Sequence, residues 1–167
     1  VLMPWPNRVA GGSYSWEGTS YDLPIDEPAF GTSLHGFVVF QEWDIVEADS
    51  SSALLRTLIA ARYSYPWTLL ASARYSLDAE AGLSIELSAT NIGEDTAPYG
   101  VGFHPYLAVD DARADDLELA NPASIIYEAD ASMIPVASHD VADFGLDFRS
   151  PTVIGTSQLD HAFAGLP

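Results

Sequence analysis

The strongest constraint on the fold is a two-residue alternation in the middle of the chain. Apolar side chains recur at every second position on both sides of a short turn at 78–82: Leu69, Ala71, Ala73, Tyr75 and Leu77 before it, and Leu83, Ile85, Leu87 and Ala89 after it. The positions between them are small or polar. Because successive side chains of a strand point to opposite faces, this spacing predicts an antiparallel hairpin with one buried and one wet face.

Other segments favour strands as well. Residues 13–23 contain two short aromatic runs around a Glu-Gly pair, which predicts a second hairpin. Residues 37–47 are apolar and aromatic enough for a buried strand. Residues 53–63 also fit one face of a helix, but we favour a strand because the neighbouring segments are strands. Short strands are expected within 117–119 and 123–127.

These elements predict an all-β fold, either an antiparallel sandwich or a barrel, and no helix longer than two turns is expected. The chain of 167 residues is 48% hydrophobic, which is typical of a packed globular protein. This length suits one domain with a real core and is short for two. We therefore expect a single domain over residues 1–167.

The charge balance excludes several partners. Six arginines, no lysine and 24 acidic residues give a net charge of -18. A chain this acidic is a poor match for nucleic acid or for anionic lipid surfaces, so a neutral ligand fits best. The apolar runs are well short of the roughly 20 residues needed to span a bilayer, and no signal peptide is visible. The absence of cysteine is compatible with the cytoplasm, the location that we expect.

The segment 99–107, Tyr-Gly-Val-Gly-Phe-His-Pro-Tyr-Leu, is the richest in chemistry. Pro105 favours extended backbone at His104, and Gly100 and Gly102 leave room for close approach by another part of the chain. A fixed imidazole beside a cavity is well suited to giving and taking protons near neutral pH. The alternative is a half-buried histidine at the end of a strand, and this segment alone does not decide between the two. A turn at 91–95 leads into this segment, so on either interpretation we expect His104 near the end of a strand.

Three more polar side chains lie on segments typical of turns: Arg8 after Asn7, His35 in a loop rich in Pro and Gly, and Asp160 before His161. Each has a purely structural explanation, such as a surface ion pair for Arg8 or a solvated turn for Asp160. Together, an arginine, two imidazoles and a carboxylate could surround a neutral polyol with directional hydrogen bonds. A metal site built from the four histidines has no local spacing to support it, and we expect neither metal nor cofactor.

Seven short motifs occur in a fixed order over almost the whole chain. They are Pro6–Val9 with Gly11-Gly12 and Trp16–Gly18, Leu23–Pro28, Leu34–Gly36, Tyr65–Trp67, Ala89–Gly93, Gly102–Tyr106 and Leu159-Asp160. Each is modest alone, but seven in order are hard to obtain by chance. By these motifs the chain resembles the aldose 1-epimerases, also called galactose mutarotases.

The resemblance implies a large antiparallel β-sandwich whose concave face binds a hexose such as glucose or galactose, and interconversion of its α and β anomers without a cofactor. It implies that Arg8, His35 and Asp160 bind sugar hydroxyls. It further implies that His104 is the general acid that protonates the ring oxygen. The partner is then a neutral hexose, and the oligomeric state stays open.

The sequence departs from the family pattern in three respects. Strands that usually precede the Asn-Arg motif are missing, so we expect the sandwich to be incomplete at both ends. The glutamate that acts as the family's base has no counterpart here, and neither Glu27 nor Glu42 matches its motif. Asp26 and Phe30 replace an asparagine and a basic residue found in many members. A non-catalytic carbohydrate-binding module on the same fold is therefore the alternative function.

Overall fold

The computed structural model describes residues 1–167, and nearly all of its regular structure is β. The strands are β1 (Arg8–Ala10), β2 (Ser13–Trp16), β3 (Thr19–Asp22), β4 (Thr32–Leu34), β5 (Asp44–Ala48), β6 (Ser52–Ile59), β7 (Leu69–Asp78), β8 (Gly82–Asn91), β9 (Glu118–Leu119), β10 (Ile125–Ala129), β11 (Pro135–Asp140), β12 (Thr152–Val153) and β13 (Ala162–Ala164). One short helix, α1, spans Val141–Phe144. All strand pairs are antiparallel, which confirms the predicted fold class. None of the helical segments has the length and apolar character to cross a membrane.

The chain divides into two compact units, residues 1–104 and 105–167. The first contains β1 to β8 and the second contains the remaining strands and α1. Each unit is described separately below.

The largest sheet of the first unit has the strand order β5-β6-β7-β8. The predicted central hairpin is confirmed, because β7 and β8 pair along their whole length, from Leu69 opposite Asn91 to Asp78 opposite Gly82. The segment that also fitted a helix is the strand β6, which pairs with β7 over eight residues. Leu69 and Ala71 are buried, whereas Leu77 and Leu83 near the turn are exposed. The buried part of the hairpin is therefore the end remote from its turn.

The core of this unit packs the sheet against aromatic side chains. Its buried members are Met3, Val38, Ile59, Tyr65, Trp67, Leu69 and Ala71. Tyr65 and Trp67 meet edge to face, with ring centroids 4.9 Å apart, an arrangement that aromatic quadrupoles favour. The hydroxyl of Tyr65 donates to the carbonyl of Pro98 at 2.6 Å, so the core also holds the chain segment that leads to His104.

The remaining strands of the first unit form two small sheets. In the hairpin of β2 and β3, Trp16 lies opposite Thr19 across a turn of Glu17 and Gly18, as predicted. Both turn residues have positive φ, the combination that a tight hairpin turn requires. In the other sheet, β1 pairs with β4, which places Arg8 opposite Leu34.

Two predictions in this unit were wrong. Residues 37–47 do not form one buried strand: a 3₁₀ turn occupies Val38–Phe40, and the exposed strand β5 begins at Asp44. The backbone amides of Phe37 and Val38 both donate to the carbonyl of Met3, and this bends the chain so that Val38 is buried and Phe40 is 95% exposed. His104 does not end a strand either, because near it only Gly102 forms a bridge, to Leu2.

In the second unit, β10 lies between β11 and β13, and β9 pairs with β12. The short strands predicted within 117–119 and 123–127 correspond to β9 and to part of β10. The helix α1 begins where the carboxylate of Asp140 accepts from the amide of Ala142, and it ends at Gly145 in the left-handed conformation. Ile126, Val141 and Phe148 are buried in this unit.

Candidate functional site

The site in the first unit is built where β1 and β4 meet. The register of these strands continues one residue beyond the ladder and places Asn7 opposite His35. The amide of His35 donates to the carbonyl of Asn7 at 3.0 Å, and the amide of Asn7 donates to Nδ1 of His35 at 3.0 Å. Two hydrogen bonds between the same two residues thus fix both the backbone and the ring of His35.

The backbone at this point is unusual. Asn7 and His35 have φ values of 59° and 65°, in the left-handed region that few residues other than glycine occupy. Gly36 follows at φ 74°, and a Cβ there would collide with the backbone carbonyl of Met3. Strained backbone of this kind persists only where the surroundings enforce it, and it is common at functional sites.

The hydrogen bond from Asn7 determines the tautomer of His35. A backbone N–H can only donate, so Nδ1 of His35 is an acceptor and the neutral ring carries its proton on Nε2. Burial lowers the pKa of His35, and the positive charges of His104 and Arg8 lower it further, against the opposing effect of Glu27 and Asp26. At neutral pH, His35 is therefore an uncharged ring that donates through Nε2.

His104 is positioned next to His35 by a separate set of backbone hydrogen bonds, made by the glycines that precede it. The amide of Gly100 donates to the carbonyl of Pro4 at 2.6 Å, and Gly102 and Leu2 exchange hydrogen bonds of 3.0 and 2.9 Å. A Cβ on Gly102 would lie only 2.7 Å from Cβ of Pro6. This confirms the expected close approach to the glycines, and the residue that approaches them is Pro6. This pairing carries the exposed imidazole of His104 to a ring-centroid distance of 6.3 Å from His35, at an interplanar angle of 75°.

Arg8 is held by Glu27, a residue for which no role was predicted. Its Nε donates to Oε2 of Glu27 at 2.7 Å, and its Nη2 donates to Oε1 at 2.8 Å. The Arg8 guanidinium and the Thr32 hydroxyl, which both donate to this carboxylate, lower the pKa of Glu27. The guanidinium carbon lies 5.1 Å from the centre of the Phe30 ring.

Asp160 belongs to the second unit. It is exposed and lies in the irregular segment just before β13. Its neighbour His161 packs its ring edge to face against Phe144, with centroids 5.4 Å apart. The structure thus brings Arg8, His35 and His104 into one part of the first unit, and the role of Asp160 stays a prediction.

The three side chains in the first unit have complementary chemistry. Arg8 provides a fixed cation, and His35 provides a neutral N–H donor. His104 provides an exposed imidazole that can carry a proton. Two donors beside a proton-transfer group suit a neutral ligand rich in oxygen acceptors.

Comparison with known proteins decides the family. A sequence profile described as aldose 1-epimerase matches residues 1–167. The chain belongs to the aldose 1-epimerase family. The family resemblance inferred from the seven motifs is therefore confirmed.

Proteins similar to this chain are found in a bacterium and in an animal. The uncharacterised Escherichia coli K12 protein YihR is 38% identical over 163 residues, which is 98% of this chain and 53% of YihR. An E. coli K12 crystal structure assigned provisionally as an aldose 1-epimerase superposes with a TM-score of 0.83 at 27% identity, covering 98% of this chain and 54% of the other. A GalM/aldose epimerase homologue from C. elegans shares the fold, with a TM-score of 0.73, 20% identity and coverage of 92% and 48%. The chain spans about half the length of the curated relatives it matches.

Proposed function

We propose that the protein is an aldose 1-epimerase, an isomerase that interconverts the α and β anomers of a neutral hexose such as glucose or galactose. The observation that carries this proposal is the pair of imidazoles of His35 and His104, 6.3 Å apart, in a chain of this family. One ring is fixed as a neutral donor by Asn7, and the other is exposed. This division of labour suits a reaction in which one group transfers a proton while the others hold the sugar.

The proposed reaction moves two protons and breaks one bond. His104, as the imidazolium, gives its proton to the ring oxygen of the sugar while a base takes the proton from the C1 hydroxyl. The bond between C1 and the ring oxygen breaks and leaves an open-chain aldehyde. Rotation about the C1–C2 bond presents the other face of the aldehyde, and closure with the reverse proton transfers gives the other anomer.

The remaining residues bind the substrate in this proposal. Arg8 and the Nε2–H of His35 donate to sugar oxygens, and Asp160 accepts from sugar hydroxyls. The pKa of His35 is lowered by burial and by its cationic neighbours, which keeps it uncharged while His104 cycles its proton. The base, by analogy with the family, is a glutamate outside the motifs found in this sequence. Neither a metal nor a cofactor takes part.

The physical properties of the chain support a neutral sugar. With a net charge of -18, the protein repels anions in general, so a phosphorylated sugar is a poorer substrate than a free one. We further propose that the protein acts in the cytoplasm, with which the absence of cysteine is compatible.

A carbohydrate-binding function without catalysis is the second candidate. It is favoured by one observation, the fixed donors Arg8 and His35, which can hold a sugar without any proton transfer. Polarimetry separates the two functions: an epimerase accelerates the change in optical rotation of freshly dissolved α-glucose or α-galactose. A binding module gives a heat of sugar binding in calorimetry and leaves that rate unchanged.

A further inference from the structure

We infer that Glu27 is a positioning residue of the site, which fixes the guanidinium of Arg8 in the orientation that binds the sugar. This inference rests on the proposed function and adds to it a residue outside the substrate-binding set. Glu27 acts through Arg8.

The contact between the side chains of Glu27 and Arg8 is bidentate. The carboxylate of Glu27 receives two parallel hydrogen bonds, from Nε at 2.7 Å and from Nη2 at 2.8 Å. Paired bonds of this kind fix the plane of the guanidinium as well as its position, which a single contact does not do. The two side chains are only 16% and 17% exposed, so the arrangement is shielded from competing water.

The carboxylate is itself held in place. The hydroxyl of Thr32 donates to Oε2 of Glu27 at 2.6 Å. The backbones of Glu27 and Thr32 exchange hydrogen bonds of 3.2 and 3.3 Å, which closes the intervening residues into a tight loop. The ring of Phe30, from the same loop, packs against the guanidinium. The loop thus contacts Arg8 both in the plane of the guanidinium and across its face.

The same loop leads into β4 and then into His35. The carboxylate of Asp26, next to Glu27, accepts from the amide of Leu34 at 2.7 Å, immediately before His35. Arg8 lies opposite Leu34 in the pairing of β1 with β4. Because Glu27 connects to both strands, its carboxylate fixes Arg8 relative to the imidazole with which Arg8 would share a substrate.

Glu27 also balances charge beside the imidazoles. The pKa of His35 responds to four neighbouring groups. The charges of His104 and Arg8 oppose protonation of the ring, whereas those of Glu27 and Asp26 favour it. Neutralising Glu27 therefore lowers the pKa of His35 further, by an effect that does not need the substrate. This provides a measurable consequence that is independent of catalysis.

The test is a double-mutant cycle in the full-length protein, with Glu27→Gln, Arg8→Ala and the double variant. Glu27→Gln keeps the shape of the side chain and loses its charge, so the fold is retained, as thermal unfolding will check. The matched control is Glu94→Gln, at an exposed glutamate in the loop after β8. Steady-state polarimetry gives kcat and KM, and NMR gives the Arg8 Nε–H signal and the pKa of His35.

We expect Glu27→Gln to raise KM about ten-fold with little change in kcat, because a charge-assisted contact that orients a binding group is lost. The Arg8 Nε–H signal should broaden, the pKa of His35 should fall, and the double variant should behave like Arg8→Ala alone. Glu94→Gln should change none of these.

If the effects of the two single substitutions on KM add up in the double variant, Glu27 does not act through Arg8. An unchanged KM in a Glu27→Gln variant with reduced thermal stability would also overturn this role, because Glu27 would then contribute only to stability. Each of these outcomes leaves the proposed function intact. A wild-type protein without mutarotase activity would contradict the proposed function and, with it, this role, even if the NMR signals show that Glu27 holds Arg8.

Discussion

The backbone amide of Asn7 donates a hydrogen bond to Nδ1 of His35 at 3.0 Å, and this contact sets the chemistry of the ring. It leaves Nε2 as the protonated nitrogen of the neutral imidazole. It also depends on two residues with left-handed backbone, Asn7 and His35, so the backbone of the loop helps to place the ring. His35 is therefore prepared to donate to a ligand before any ligand arrives.

The first prediction concerns the titration of His35. Its pKa is lowered from the ordinary value of 6.5 by burial and by the charges of His104 and Arg8. Just below pH 6.5, His35 is therefore protonated in the unfolded chain but still neutral in the folded chain. The stability contributed by this site is present above pH 6.5 and is lost as the pH falls towards the pKa of the folded state.

Imidazole NMR should show His35 titrating below 6.5 with Nδ1 unprotonated at neutral pH. In urea unfolding, the difference in stability between wild type and His35→Gln should shrink as the pH is lowered through this range. A His35 that titrates above 6.5, or that is protonated on Nδ1 at neutral pH, would contradict the assigned tautomer.

The second prediction concerns the close approach at Gly36. A Cβ at this position would collide with the carbonyl of Met3, and the left-handed φ of 74° adds strain. We expect Gly36→Ala to cost more than about 4 kcal/mol in the free energy of unfolding, the range reached by severe steric clashes. Gly18→Ala is the matched control, because Gly18 also has positive φ and a Cβ there meets nothing within 4 Å.

For Gly18→Ala we expect a cost of about 1 kcal/mol from backbone strain alone. Chemical denaturation of the two variants gives both values directly. Equal costs at the two glycines would show that Gly36 is not pressed against Met3 in solution.

The third prediction concerns the buried hydroxyl of Tyr65, which donates to the carbonyl of Pro98 at 2.6 Å. Tyr65→Phe removes the donor and leaves a carbonyl without its partner, so we expect a loss of about 1–2 kcal/mol in the free energy of unfolding. Tyr63→Phe is the control, since Tyr63 is 96% exposed and should be neutral. A Tyr65→Phe variant as stable as the control would contradict this contact.

Much of the fold follows from the sequence, because alternation of polar and apolar residues reflects the geometry of strands directly. The hairpin of β7 and β8 and the tight hairpin at Glu17 and Gly18 were both predictable on this basis. Such patterns are local, and each can be checked within about ten residues. The family could be recognised in the same way, from short motifs in a fixed order.

The failures share a different physical origin. The bend at Val38 results from hydrogen bonds to Met3, 35 residues earlier in the chain. The polar and apolar pattern of residues 37–47 cannot predict contacts with so distant a residue. The role of Glu27 depends on a pairing with Arg8 across 19 residues, which only the register of β1 and β4 creates. The one available clue was that Arg8 and Glu27 each fall within a family motif, but their contact required the fold.

Of the predicted site residues, Arg8, His35 and His104 lie in the first unit, and their roles in binding and catalysis stay predictions. Asp160 was assigned by motif alone, and its contribution to sugar binding is a prediction that an Asp160→Asn variant can test. Calorimetry should show weaker hexose binding by this variant than by the wild type. An unchanged dissociation constant would remove Asp160 from the binding set.

The most direct test of the proposed function is polarimetry of α-galactose and α-glucose with the full-length protein and its His104→Ala variant. We expect the wild type to accelerate mutarotation, and His104→Ala to slow the catalysed rate by at least about 100-fold, the lower range for loss of a general acid. His139→Ala, at a histidine in the second unit, should retain the wild-type rate. A His104→Ala variant as fast as the wild type, or a wild type no faster than buffer, would contradict the proposed function.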